Sequence, residues 1–321
     1  MQNPHQEMDR ENLLADIAEM YFLEEMNQEE IAKKFGMTRS NISRLLKEAR
    51  KLNIIQFTIN RPIHGNPVLS QKLVERFHLK DARIIDVEQT KNLLPKLGQV
   101  AGKELEKHIK PGKIIATAWG TAISATVEQL NISSHISDLK VVQLLGALGA
   151  RVKEYDAHAI VRRLEEKLDA EGIYFHAPFL VDDEHTAKTL LETKSIAEPM
   201  NICKKADVAI LGIGSIDLAH CSYYLSGYVS GKEIRSIQKE GAVGDVCSIF
   251  YDLKGEIKAK DFRKRTIGVS PEVLFKIPIR IGIAGGLEKV DPIIGALNAK
   301  LINILISDTE TANLVLERTR R

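Results

Sequence analysis

Four apolar runs in the sequence end in small residues whose neighbours suit oxyanion binding. The run from Ile114 ends at Trp119-Gly120-Thr121, where a helix start would offer free amides beside a hydroxyl, a pairing that holds phosphate. Leu144-Leu145 leads into Gly146 and Ala147, and the run from Asp207 ends in Gly212 and Gly214. Residues this small let a ligand approach the backbone. The run from Arg280 ends in Gly285 and Gly286, with Lys289 behind them as a point charge for phosphate. Asp245 stands ahead of another apolar run, and two roles are open to it: capping a turn, or accepting bonds from sugar hydroxyls. Each glycine alone is ordinary turn chemistry. Four such ends, two beside phosphate-suited residues, favour one shared ligand site.

A second set of residues suits nucleic acid. Thr38, Arg39, Ser40, Asn41, Ser43, Arg44 and Lys47 crowd one stretch, with Gln28 shortly before it, and such side chains bond base edges and phosphates. From Lys33 to Lys51 there are seven basic residues against Glu48 alone, a local charge of +6, whereas the stretch before it is acidic. A basic helix of this kind is the electrostatic footprint of phosphate neutralisation.

Positioning that second set requires helices. Leu13, Leu14, Ile17, Ala18, Tyr21 and Phe22 share one face of a helix expected over 13–26. Asn27 with Glu30 three residues on forms a capping box for a second helix, which Gly36 ends. Thr38 caps a third helix running to about Lys51, with Ile42, Leu45, Leu46 and Ala49 inward. Ala32 and Gly36 are expected to be small because the helices cross there, with Ile42 filling the space between. The arrangement is a helix-turn-helix, its outward face carrying the polar set. Alternation over 54–59 then predicts a strand, a short wing.

Two prolines and a glycine within 61–67 predict a linker. The expected division is 1–60 for the helix-turn-helix, 61–67 for the linker, and 68–321 for ligand binding and oligomerisation. Beyond the linker, strands are expected over 83–87, 113–118, 140–145, 173–176, 207–211, 245–251, 280–284 and 302–307. Helices are expected over 94–108, 155–170, 183–193, 232–238, 290–300 and 309–317. Such alternation makes an α/β domain with a parallel, doubly wound sheet, whose ligands sit beyond the carboxyl ends of the strands.

Composition narrows the function classes. The chain has 321 residues, 44% hydrophobic and 27% charged, with a net charge of +2 that hides the uneven layout. No apolar run is long enough to span a membrane, and the amino terminus lacks a basic region followed by an apolar one. Three separated cysteines suit a reducing compartment, so a cytoplasmic protein is expected. The histidines show no zinc-type spacing, and neither a P-loop nor a nucleophile elbow occurs, so no metal and no cofactor is expected.

Taken together, Ser43-Arg44-Leu45-Leu46, Trp119-Gly120-Thr121, Ala242-Val243-Gly244-Asp245 and Ala284-Gly285-Gly286-Leu287-Glu288-Lys289 followed by Ile302-Asn303-Ile304-Leu305-Ile306-Ser307-Asp308 resemble the SorC family of sugar-responsive bacterial transcriptional regulators. The likeness covers essentially the whole chain, in order. It implies an effector domain with the fold of glucosamine-6-phosphate deaminase and ribose-5-phosphate isomerase. It also implies double-stranded operator DNA and a phosphorylated sugar or related metabolite as partners, and a homotetramer. By that likeness Gly120, Thr121, Gly285, Gly286 and Lys289 surround the phosphate, and Asp245 meets the sugar hydroxyls. One branch of the family binds its aldehyde effector covalently through a lysine after Val-Val-Gln-Leu. This chain has Leu145 there, so reversible binding is expected. The alternative is a sugar-phosphate isomerase or deaminase with a DNA-binding appendage, which would need a positioned general base.

Overall fold

The structure is a computed structural model that describes residues 4–55, 63–87, 93–130, 132, 136–147 and 154–320. It divides into two compact units, Met1–Pro62 and Ile63–Arg321.

The first unit holds three helices, α1 (Pro4–Phe22), α2 (Gln28–Phe35) and α3 (Arg39–Lys51). Leu14, Ile17 and Ala18 of α1 meet Ile31 and Ala32 of α2 and Ile42, Leu45, Leu46 and Ala49 of α3 in one small core. The Asn27 carboxamide oxygen accepts from the amides of Glu29 and Glu30, and Glu30 accepts from the Asn27 amide at 2.9 Å, closing the expected capping box. Thr38 Oγ1 likewise accepts from the Asn41 amide at 3.2 Å. Two expectations need correction. The first helix begins earlier than expected and stops at Phe22, because Glu25 turns the chain with a positive φ. Gly36 is not a crossing point: nothing lies within 4 Å of where its β-carbon would stand, and its requirement is the φ of +63° that ends α2. Of the expected wing, Ile54 and Ile55 pack against the core outside any strand, and 56–59 lie outside the described residues.

The second unit begins with α4 (Pro67–Phe77), β1 (Asp81–Ile85), α5 (Leu93–Glu106), β2 (Ile114–Thr117), α6 (Thr121–Gln129) and β3 (Lys140–Gln143). It continues through α7 (Ala157–Leu168), β4 (Glu171–Ile173), α8 (Glu184–Glu192), α9 (Lys194–Cys203), β5 (Val208–Gly212) and β6 (Gly214–Ser215). Then come α10 (Ser222–Leu225), α11 (Gly231–Lys239), β7 (Gly244–Val246), β8 (Ile249–Tyr251), α12 (Lys260–Lys264) and α13 (Pro271–Lys276). The last elements are β9 (Ile279–Ile283), a 3₁₀ turn (Leu287–Lys289), α14 (Val290–Asn298), β10 (Ile304–Asp308) and α15 (Thr309–Arg318).

Seven strands form one parallel sheet in the order β1-β10-β9-β5-β2-β3-β4. Its central strands are buried on both faces, which is why they read as unbroken apolar runs rather than alternating ones. The fold is α/β with a mostly parallel sheet, as the alternation of elements required. A smaller antiparallel sheet, β6-β7-β8, grows from the end of β5.

Several elements differ from expectation. The strand expected over 245–251 is a hairpin, β7 to β8, turned by Cys247 and Ser248 with φ of +52° and +57°. That is the geometry of a two-residue primed turn, here built without the Asn-Gly pair that would betray it. The expected strand over 173–176 ends at Ile173. Among the residues expected as linker, Gly65 bridges Ile85 and Asn66 caps α4 by accepting from the Leu69 amide at 3.1 Å, with Pro67 in the first turn. Proline is punctuation there because it starts a helix.

Candidate functional site

A cavity of about 350 Å³ opens beyond the carboxyl ends of β2, β3, β5 and β9, which lie side by side in the sheet. That is where ligands of doubly wound sheets bind. After β2, Gly120 takes a φ of +137°, a conformation that L side chains rarely adopt, and turns the chain into α6. The Gly120 carbonyl accepts from the Ser124 amide at 2.9 Å, and no side chain caps the helix. The amides of its first turn have no partner within the helix, and Thr121 and Ala122 line the cavity. Gly98 of α5 sets this helix close, since a β-carbon there would stand 2.5 Å from the Ala125 carbonyl oxygen. Leu93, Leu94 and Leu97 of α5 give the cavity an apolar wall.

Other parts of the lining are polar or small. Gly212 and Gly214 line the cavity after β5, and Gly285, Glu288 and Lys289 after β9. Gly214 pairs with Asp245 across the β6–β7 ladder. Asp245 Oδ2 accepts from the Tyr223 hydroxyl at 2.6 Å and from the Ser248 amide at 3.0 Å. Burial pushes its carboxyl above the ordinary aspartate range, and those two bonds and the Lys289 charge oppose the shift. Lys289 Nζ donates to the Ile213 carbonyl at 3.0 Å. Burial lowers its pKa, against the pull of Asp245 and Glu288. The cavity thus offers a helix start, one ammonium and one buried carboxylate.

On the first unit, Thr38, Arg39, Ser40, Asn41, Arg44 and Lys47 are exposed along α3, with Ser43 and Gln28 half-buried. Glu48, the one acid of α3, is taken by Arg10, whose guanidinium bonds both carboxylate oxygens at 2.8 to 3.0 Å. The acid of α3 is thus engaged by α1 and does not pair with the exposed basic residues of its own helix.

A family described as "Putative sugar-binding domain" matches residues 61–317, and one described as "Sigma-70, region 4" matches residues 15–52, which include α2 and α3. The chain is 29% identical to the sorbitol operon regulator of Klebsiella pneumoniae, over 95% of this chain and 98% of that one. It is 30% identical to the transcriptional regulator LsrR of Klebsiella pneumoniae, over 95% and 93%. It is 28% identical to the deoxyribonucleoside regulator of Bacillus subtilis, over 96% and 99%. The crystal structure of the full-length sorbitol operon regulator SorC from Klebsiella pneumoniae matches with a TM-score of 0.72 at 29% identity, over 96% of this chain and 99% of that one.

The chain belongs to the SorC family.

Within this SorC family member, the fold gathers Gly120, Thr121, Gly212, Gly214, Asp245, Gly285 and Lys289 around one cavity. Three other expected residues do not line it. Gly146 and Ala147 are spent on packing: their amides donate to Ile267 and Ala177, and a β-carbon at Gly146 would stand 2.5 Å from the Pro178 carbonyl oxygen. The Gly286 amide is spent too, donating to Asp308 Oδ2 at 3.0 Å and Thr311 Oγ1 at 2.8 Å. Leu145 lines the cavity with an apolar side chain. Sequence reasoning missed Tyr223, which lies 22 positions from Asp245 and gives no local signal. Among the described residues no group of three or more histidine, cysteine, aspartate or glutamate side chains could hold a metal. No described helix is long and apolar enough to cross a membrane.

Proposed function

We propose that this SorC family member is a transcriptional regulator of a carbohydrate-utilisation operon, which holds operator DNA through its helix-turn-helix. Its operator occupancy is set by reversible binding of a phosphorylated sugar or related metabolite. The observation that carries the reading is the union in one chain of a basic recognition helix with a sugar-binding domain whose cavity offers a helix start, an ammonium and a buried carboxylate. In this reading Thr121 and the first-turn amides of α6, with Lys289, take the phosphate, and Asp245 takes a hydroxyl.

Arg39, Ser40 and Asn41, at the amino end of α3, reach base edges, and Arg44 and Lys47 neutralise phosphates. Effector binding changes operator affinity by favouring one of two states of the protein, so the effector must bind those states with different affinity. The working form is a cytoplasmic homotetramer, whose paired helix-turn-helix units meet half-sites separated by whole helical turns.

A thermal-shift screen against phosphorylated sugars and polyols tests this, because a ligand of the native state raises the melting temperature. No response to any member would count against it. Turnover of a sugar phosphate would favour the enzyme reading instead, with Asp245 or Glu288, the two carboxylates on the cavity wall, as its base.

A further inference from the structure

Asp245 is buried beneath the cavity with its two oxygens in different situations. Oδ2 holds two donors, the Tyr223 hydroxyl at 2.6 Å and the Ser248 amide at 3.0 Å. Oδ1 has no donor among the described residues, and it lies against Gly214 in the cavity wall. Tyr223 cannot easily leave its post. It is 4% exposed, and Trp119, Phe179 and Phe250 surround its ring at centroid distances of 5.3, 5.6 and 5.8 Å. Ser248 Oγ, 3.0 Å from the phenol oxygen, braces it from the hairpin.

We propose that Tyr223 is the positioning residue of the effector site, holding one oxygen of Asp245 so that the other is presented over Gly214 to a hydroxyl of the bound metabolite. The inference rests on the reading of this cavity as the effector site. A carboxylate out of water is costly unless it is paired and hydrogen-bonded, and a neutral carboxyl is a poorer acceptor for a hydroxyl. The phenol supplies one of two protein donors that keep the charge. It is a constant donor, since burial and the neighbouring carboxylate push its own pKa well above the ordinary value.

The other titratable groups facing Asp245 are Cys221 ahead of α10, Cys247 in the hairpin turn, Tyr251 of β8 and Lys289 of the 3₁₀ turn. The thiols and the second phenol are shifted upward and stay neutral, so Lys289 is the one cation among them. Removing the Tyr223 hydroxyl removes the hydrogen bond that most opposes burial at Asp245. The carboxyl then holds its proton to higher pH, and hydroxyl binding weakens first on the acid side.

The test compares the full-length wild type with Tyr223→Phe, which keeps the ring and loses the hydroxyl. Infrared titration follows the protonated carboxyl band of Asp245, assigned by its absence in Asp245→Asn. Calorimetry follows D-glucitol 6-phosphate from pH 6 to 8, with inorganic phosphate alongside. The band should appear at higher pH in Tyr223→Phe. D-glucitol 6-phosphate should bind about tenfold more weakly at pH 7.5, and more weakly still at pH 6, with inorganic phosphate unchanged. Titration of the ligand's own phosphate is common to both proteins and cancels. On an Asp245→Asn background the Tyr223 change should add nothing. Equal protonation midpoints in the two proteins would overturn the proposal. Failure of both ligands to bind the wild type would instead count against the effector-site reading, and the infrared comparison would still decide the role of Tyr223.

Discussion

Asp245 lies against Gly214 so closely that a β-carbon on the glycine would overlap the carboxylate Oδ1 and stand 3.0 Å from Cγ. The two residues are partners across the β6–β7 ladder, so neither can retreat without opening it. Gly214→Ala should therefore push the carboxylate off its bonds to Tyr223 and Ser248, costing about 1 to 3 kcal/mol. Thermal-shift titration with sugar phosphates should lose its response in this variant, while the same preparation still binds operator. A full response in Gly214→Ala would place the hydroxyl acceptor elsewhere.

Asp245 also makes a prediction about pH and stability. Burial raises its folded pKa above the unfolded value. The ionised form therefore costs stability above that pKa, and the cost is relieved as pH falls through it. Asp245→Asn keeps an oxygen for Tyr223 and the Ser248 amide and carries no charge. Its melting temperature should equal or exceed that of the wild type at pH 7.5, with the difference shrinking as the pH is lowered. A melting temperature several degrees below wild type at pH 7.5 would mean the carboxylate is net stabilising in the free protein.

The gain would come with lost effector binding, as is common where a destabilising group serves function.

Much of this arrangement could be read from local spacing. Asn27 and Glu30 are three residues apart, and their reciprocal bonds need nothing from the rest of the chain. The glycines ending β2, β5 and β9 follow apolar runs, and parallel topology then brings those ends to one side. What escaped was set by distant partners. Gly286 resembles a phosphate glycine until Asp308 and Thr311, more than twenty positions later, claim its amide. Gly146 and Ala147 resemble a ligand-facing end until the 177–178 segment packs onto them. Cys247 and Ser248 hide a hairpin turn because neither residue type favours positive φ. Their turn is held by the Asp245 side chain, so this aspartate caps a turn and lines the cavity at once.

Gly36→Ala tests the helix-turn-helix corner. Nothing occupies the space of the missing β-carbon, so the cost is conformational, about 1 kcal/mol for holding alanine at a φ of +63°. Thermal unfolding should show a lowered transition for the amino-terminal unit with no steric rearrangement. An unchanged or raised stability would contradict the left-handed cap.

Under the proposed function Arg44 and Lys47 neutralise phosphates and Arg39 reaches base edges. Arg44→Ala should weaken binding to matched and mismatched duplexes alike, and reduce the slope of log affinity against log salt by about 0.9. Arg39→Ala should weaken the matched duplex more than the mismatched one. Equal losses at both positions on both duplexes would dissolve the distinction.

The proposed function requires one chain to couple sugar-phosphate binding to operator binding. It is tested most directly by fluorescence anisotropy of a labelled duplex selected from random sequence by the full-length protein, titrated with and without the sugar phosphate found by thermal shift. Wild-type operator affinity should change at least fivefold on adding the ligand, a coupling of about 1 kcal/mol. Asp245→Asn should bind the duplex as the ligand-free wild type does and ignore the ligand. Operator affinity indifferent to every sugar phosphate that binds the protein, or an Asp245→Asn variant that responds like the wild type, would rule out coupling through this cavity.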